Sequence, residues 1–138
     1  MSKLNTDFLT RCIAALEKSY EKLDQSEKGS VDYEMYRNSL VKSFEMTLEQ
    51  SGKLLRKKIT PYFASKKQAD VLTFKDIFRQ AGLRGLLDTA AVERWFKYRD
   101  NRNSTAHDYG EAFADETLVL IEDFLDDAKK LQTLIADD

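Results

Sequence analysis

The sequence predicts an all-α protein, an antiparallel up-and-down bundle of about five helices, four of them long and one short. Apolar residues recur at three- and four-residue steps through almost the whole chain, and no stretch alternates apolar and polar residues long enough to make a strand. One proline and five glycines are all that punctuate the pattern. The connections between helical stretches are short, which favours antiparallel neighbours packed around one core.

Leu9, Cys12, Ile13, Leu16, Tyr20 and Leu23 fall on one stripe of a helix running from about Asp7 to Gln25, with Asn5 or Thr6 as its cap. Asp24 to Ser30, with Gly29 inside it, reads as a polar connection. A longer helix should begin near Asp32 and bury Tyr33, Tyr36, Leu40, Phe44, Leu48, Leu55 and Ile59. Pro61 marks its end, because residues before proline avoid helical geometry. Within it the apolar row passes Ser51 and Gly52, small residues that either let another element come close or give a mild kink.

Thr73-Phe74-Lys75-Asp76 has the form of a capping box, and Phe74, Ile77, Phe78 and Ala81 follow at helical spacing until Gly82. This is the short third helix. Asp88 can cap the next one, in which Val92, Trp95 and Phe96 face inward while Arg94, Lys97 and Asp100 face out. A turn at Tyr109-Gly110 then leads to a last helix with Phe113, Thr117, Leu120, Ile121, Phe124, Ala128, Leu131 and Leu134 in register.

At 138 residues, 42% hydrophobic and 11% aromatic, the chain suits one domain with one core, expected to span residues 1–138. Every apolar run is cut by charge well short of the roughly 18 to 20 residues that a membrane span needs. Met1 to Thr10 carries polar and acidic residues where the apolar part of a secretory signal would lie. With one cysteine, Cys12, there is no disulfide framework and no cluster for a structural metal, so a cytoplasmic protein without cofactors is expected. Cys12 itself lies on an apolar stripe and reads as a small buried hydrophobe.

Twenty-two basic and 24 acidic side chains leave a net charge of only −2, so bulk charge does not drive the chain onto nucleic acid or anionic lipid. Any nucleic-acid contact must be local. Basic residues gather at Lys53, Arg56, Lys57, Lys58, Lys66 and Lys67, and again at Arg94, Lys97, Arg99 and Arg102. The first group reads as a solvated helix face; for the second a solvated face and a contact surface stand side by side.

The single histidine sits in Arg99-Asp100-Asn101-Arg102-Asn103-Ser104-Thr105-Ala106-His107-Asp108-Tyr109-Gly110, the most polar stretch of the chain, where a helix should be ending. Arg102 offers a fixed fork of donors, His107 an imidazole that titrates near neutral pH, and Tyr109 a hydroxyl. On a continuous helix Arg102 and Tyr109, seven apart, would be neighbours, while His107 could join them only if the helix loosens between Asn103 and Asp108. Taken alone, a histidine at a helix C-terminus more often steadies the helix dipole or a hydrogen bond than catalyses.

Arg102 to Tyr109, with Asn103 after the arginine, reads R-x-x-x-x-H-x-Y and resembles the signature of HEPN domains. It closely resembles the branch of nucleotidyltransferase substrate-binding proteins, the HepT-like subunits of HEPN–MNT toxin-antitoxin pairs. Ser43 to Glu49 resembles that family's Phe-Glu-x-Thr-x-Glu segment, Thr73 to Gly82 its short third helix, and Trp95 a tryptophan seven positions before the motif arginine. The likeness runs from about Leu9 to Leu131. Asn101 departs from it, standing where an acid is usual, as does Arg99, where an apolar residue is common.

The resemblance implies a metal-independent endoribonuclease, toxin-like, held in check by an MNT-type minimal nucleotidyltransferase. Arg102 would grip the phosphate, His107 would move the proton, and Asn103 would orient His107 or hold a phosphate oxygen. One histidine per chain does not easily serve as both acid and base, so a homodimer that lines a shared cleft with two motifs is expected. Glu45 and Glu49 either face this cleft or form surface ion pairs, and Arg99 is a supporting residue. Tyr109 matches the position that accepts AMP from the companion enzyme, with plain packing at a helix end as the other reading. The competing function is a non-catalytic subunit that presents a nucleotide or other substrate to that enzyme; a third reading is a helical dimerisation module whose motif has decayed.

Overall fold

The computed structural model describes residues 4–104 and 111–137, with side chains described for all of these except 103, 104 and 111–114. Six α-helices lie among the described residues: α1 (Asp7–Gln25), α2 (Val31–Ile59), α3 (Lys66–Asp70), α4 (Phe74–Leu83), α5 (Thr89–Ser104) and α6 (Glu111–Ala136). A 3₁₀ turn over Thr60–Tyr62 follows α2 and contains Pro61. The all-α expectation holds, with α3 as an addition. Lys66-Lys67-Gln68-Ala69-Asp70 carries no apolar stripe, and only Ala69 of it is buried; Ser65 caps it by accepting from the Gln68 N–H.

The other boundaries follow from local chemistry. Asn5 Oδ1 accepts from the Asp7 N–H at 2.9 Å, while Thr6, the residue at the cap position of α1, instead accepts from Gln132 Nε2 of α6. Ser30 Oγ caps α2 by accepting from the Tyr33 N–H, and Asp88 Oδ1 accepts from the Ala91 N–H at 2.7 Å as α5 begins. At Thr73 the capping box is reciprocal: Thr73 Oγ1 accepts from the Asp76 N–H and Asp76 Oδ2 from the Thr73 N–H, both at 3.1 Å. Gly29, at φ +87°, supplies the left-handed turn between α1 and α2 that a side chain would strain.

The core is aromatic where four helices meet. Phe44 of α2, Phe78 of α4, Trp95 and Tyr98 of α5 and Phe124 of α6 are all buried, and they contact in series. Phe78 stacks on Trp95 at 4.8 Å between centroids, and Phe124 meets Phe44 and Tyr98 edge-on at 4.7 and 4.9 Å. Leucines and isoleucines of α1, α2 and α6 extend this cluster along the bundle. Cys12 is buried as expected, and desolvation raises its thiol pKa.

Among the described residues no helix is long and apolar enough to cross a membrane.

Candidate functional site

Arg102 lies in the last turn of α5 and reaches across to α2, where Nη2 stands 3.5 Å from Glu45 Oε2. Both groups are largely withdrawn from solvent: the arginine side chain is 28% exposed and the glutamate 12%. Glu45 is therefore no surface pair. Its other oxygen, Oε1, is buried and has no hydrogen-bond partner among the described residues. The end of α5 thus places a carboxylate with one unpartnered oxygen beside a partly exposed guanidinium. Glu49, one turn further along α2, is exposed.

Two sets of contacts fix the height and rotation of α5. Towards α6, Arg94 forms a forked pair with buried Asp127, Nε to Oδ2 at 2.8 Å and Nη2 to Oδ1 at 2.9 Å, and the Tyr98 hydroxyl donates to Oδ2 at 2.5 Å. Two turns later Asn101 Nδ2 donates to the hydroxyl of buried Thr117 at 3.1 Å. Towards α2, the Arg102–Glu45 pair closes the far end. The guanidinium of Arg94 is held protonated first by its hydrogen bonds to Asp127, against some desolvation. Burial, then the bond to Asp127, pushes the Tyr98 hydroxyl well above its ordinary pKa.

Arg94 is thus corrected: expected to face out, it turns onto α6, because Asp127 is a buried charge that needs a partner. Tyr98 and Asp127 are interior residues absent from the inward faces expected of α5 and α6. Asp127 stands three residues after Phe124 and four before Leu131, on the apolar register of α6, which is the sequence signal that places it inside.

Arg99, three residues before Arg102, is half-buried, with its guanidinium carbon 5.2 Å from the centre of the Phe74 ring. Phe74 in turn lies over Gly52 of α2, where a Cβ would meet its ring carbons at 2.8 and 2.9 Å. The small residues of α2 therefore admit an aromatic ring from α4. Gly52 and Glu45 are seven residues apart on α2 and share a face, so this one face supports both Phe74 under Arg99 and the partner of Arg102.

Asn103 belongs to the last turn of α5, but its side chain, like His107 and Tyr109, lies outside the described residues. Of the expected site residues, Arg102 and Glu45 are brought together, Arg99 sits one turn away, and Glu49 stays in solvent. In the first basic group Arg56 donates to the Leu72 carbonyl oxygen at 2.7 Å, Lys58 to that of Asp137, and Lys66 to Asp70, while Lys53, Lys57 and Lys67 are exposed. That group is a structural and solvated face. Among the described residues no set of His, Cys, Asp and Glu side chains is grouped to hold a metal ion.

Comparison with known proteins gives this geometry a family. The family described as nucleotidyltransferase substrate binding protein like matches residues 4–137. The chain belongs to that family. This agrees with the sequence resemblance to the nucleotidyltransferase substrate-binding branch of HEPN proteins. A relative from Haemophilus influenzae, named a probable ribonuclease HepT, is 27% identical over 127 residues, covering 89% of this chain and 86% of that protein. A solved Haemophilus influenzae structure, described as the fold of a substrate-binding domain of a nucleotidyltransferase, superposes with a TM-score of 0.82. It covers 96% of this chain and 100% of its own length at 24% identity, a likeness of fold. In this nucleotidyltransferase substrate-binding-like protein, then, the motif arginine is carried on α5 and held against α2.

Proposed function

We propose that this protein is the helical HEPN subunit partnering a minimal nucleotidyltransferase, and that it is a toxin-like, metal-independent endoribonuclease controlled by that partner. The observation that carries the reading is Arg102, fixed at the end of α5 by Glu45 and still partly open to solvent, five positions before the chain's single histidine. Membership of the family over residues 4–137 supports the partnership, and the relative named a probable ribonuclease HepT supports the activity.

In this reading the ribose 2′-oxygen attacks the neighbouring phosphorus as His107 takes its proton, and the bond to the 5′-oxygen breaks as that oxygen receives a proton. The products are a 2′,3′-cyclic phosphate end and a 5′-hydroxyl end. Arg102 neutralises charge that builds on the phosphate oxygens, with bonds that strengthen in the transition state. Glu45 aims the guanidinium and Asn103 orients His107 or holds a phosphate oxygen. A homodimer supplies the second histidine, so that one acts as base and the other as acid. Tyr109 is the acceptor for AMP, whose charge and bulk would shut RNA out of the cleft.

A second reading has its own support. The net charge is −2 and the motif arginine is already matched by Glu45, which suits a subunit that grips and presents a nucleotide better than one that holds long RNA unaided. Induction of the wild type, Arg102→Ala and His107→Ala, with and without the nucleotidyltransferase, separates the two. Growth arrest that disappears with either substitution or with the partner present is expected; arrest that survives loss of His107 would sink the nuclease.

A further inference from the structure

A shallow recess of about 390 Å³ lies between the start of α4 and Arg99 of α5, one helical turn before Arg102, lined by Thr73, Phe74, Lys75, Arg79, Arg99 and Asp100. Three cations face it against one carboxylate. We propose that this recess is a phosphate subsite for single-stranded RNA, taking the backbone phosphate next to the one held at Arg102; it rests on the nuclease reading for what Arg102 holds.

Arg99 and Arg102 are one helical turn apart, so their Cβ atoms lie about 5–6 Å from each other along the same side of α5. From there Arg99 reaches towards α4 and Arg102 towards α2, so a strand lying along this side of α5 would meet both. Arg99 makes no ion pair among the described residues; the Phe74 ring steadies its guanidinium and leaves its N–H groups for a ligand. Lys75 and Arg79 both lie over the Phe96 ring, at 5.4 and 5.0 Å, and are joined to Asp100 at 2.7 Å and Asp76 at 3.1 Å. Such partly exposed pairs hold weakly, and a phosphate can take either cation over.

The rings of Phe74 and Phe96 thus act as rigid supports that set three long side chains around one concavity, at low cost in side-chain freedom. An acidic protein surface would also meet cations here. Three cations on one recess, with Arg102 one turn further along α5, favour a nucleic-acid strand.

The test is binding of a fluorescent, mixed-sequence 2′-O-methyl RNA oligonucleotide, which lacks the attacking hydroxyl, followed by anisotropy at several salt concentrations. Arg99→Gln should weaken binding about fivefold, and the triple change Lys75→Gln, Arg79→Gln and Arg99→Gln by more than about tenfold. The slope of log affinity against log salt should flatten by about 0.7 for each phosphate no longer neutralised. Arg99→Lys should keep most of the affinity, and circular dichroism should show all variants folded. Wild-type affinity and slope in the triple variant, or no binding by the wild type, would overturn the subsite. So would a triple variant that loses the nucleotidyltransferase but keeps RNA. If unmodified RNA is left uncut by the wild type while the charge effects stand, the nuclease falls and the subsite remains.

Discussion

Arg94 and Asp127 form a forked ion pair that crosses from α5 to α6, with the carboxylate 5% exposed and the guanidinium 37%. The Tyr98 hydroxyl completes the shell of the carboxylate, so three groups on two helices are mutually satisfied. Removing one member leaves a buried oxygen of Asp127 or Tyr98, or the part-exposed Arg94, short of a partner. Asp127→Ala should cost about 2–4 kcal/mol, below the range for a fully buried pair because Arg94 can turn to water, and Tyr98→Phe about 1–2 kcal/mol. Urea unfolding measures both. Replacing Arg94 and Asp127 together by Met and Leu should cost less than Asp127→Ala alone; a larger loss would show that the pair stabilises the fold in its own right.

Gly52 and the Phe74 ring make a second sharp prediction. A methyl at position 52 would stand 2.8 Å from the ring, so Gly52→Ala should destabilise by about 1 kcal/mol, overpacking of about 1–3 kcal/mol being offset by an alanine's better helix propensity. With Phe74→Leu in place the obstruction shrinks, and the same change should turn stabilising by a few tenths of a kcal/mol. Equal effects in both backgrounds would mean that the ring moves aside freely.

What the sequence makes legible depends on what each contact is made of. Apolar contacts leave a 3.6-residue trace, so α1, α2, α4 and the stripe of α6 read directly from residues such as Leu9, Leu16, Phe44, Ile77 and Phe124. The caps at Thr73 and Asp88 lie where local hydrogen bonding requires them, and so does Ser30, which in the sequence reads only as the end of a connection. α5 is different, because half of its inward face is polar: Arg94, Tyr98 and Asn101 bond to Asp127 and Thr117, and a helical wheel assigns such residues to solvent. Gly52 is legible as a close approach, but not what approaches; a ring from an element 22 residues later in the chain has no local signature. Arg102 stands out through a motif, whereas its tie to Glu45 joins residues 57 apart and is visible only once α2 and α5 are packed.

The capping box at Thr73 predicts a pH effect with a definite sign. The Thr73 N–H, then its hydroxyl, bond the Asp76 carboxylate and hold its pKa below the usual carboxylate range, with Arg79 helping. A carboxyl group with a depressed folded pKa stabilises above its unfolded value, near pH 4, and that stability is lost as pH falls through the folded value. The amide of Thr73 should therefore lose protection from exchange below pH 4 before the rest of α4 does. Asp76→Asn should abolish this acid dependence, and a carboxyl carbon that titrates at or above pH 4 by NMR would contradict the account.

Glu45 stands between two roles that kinetics can tell apart. If it aims Arg102, it also competes with phosphate for the same guanidinium, since both are anions and only one can hold the open face of the fork. Glu45→Gln keeps the shape and removes the charge, so ground-state binding should improve while the arginine loses its fixed direction. Under the proposed nuclease reading, the expected result on an RNA oligonucleotide is a KM lower by about fivefold, matching roughly 1 kcal/mol for a partly buried ion pair, with kcat lower by about tenfold. Arg102→Lys should do the reverse to binding, because an ammonium cannot reproduce the fork. If that reading holds, a Glu45→Gln variant with wild-type kcat would show that the carboxylate serves only to hold α5 against α2, and the variant should then also unfold at lower urea.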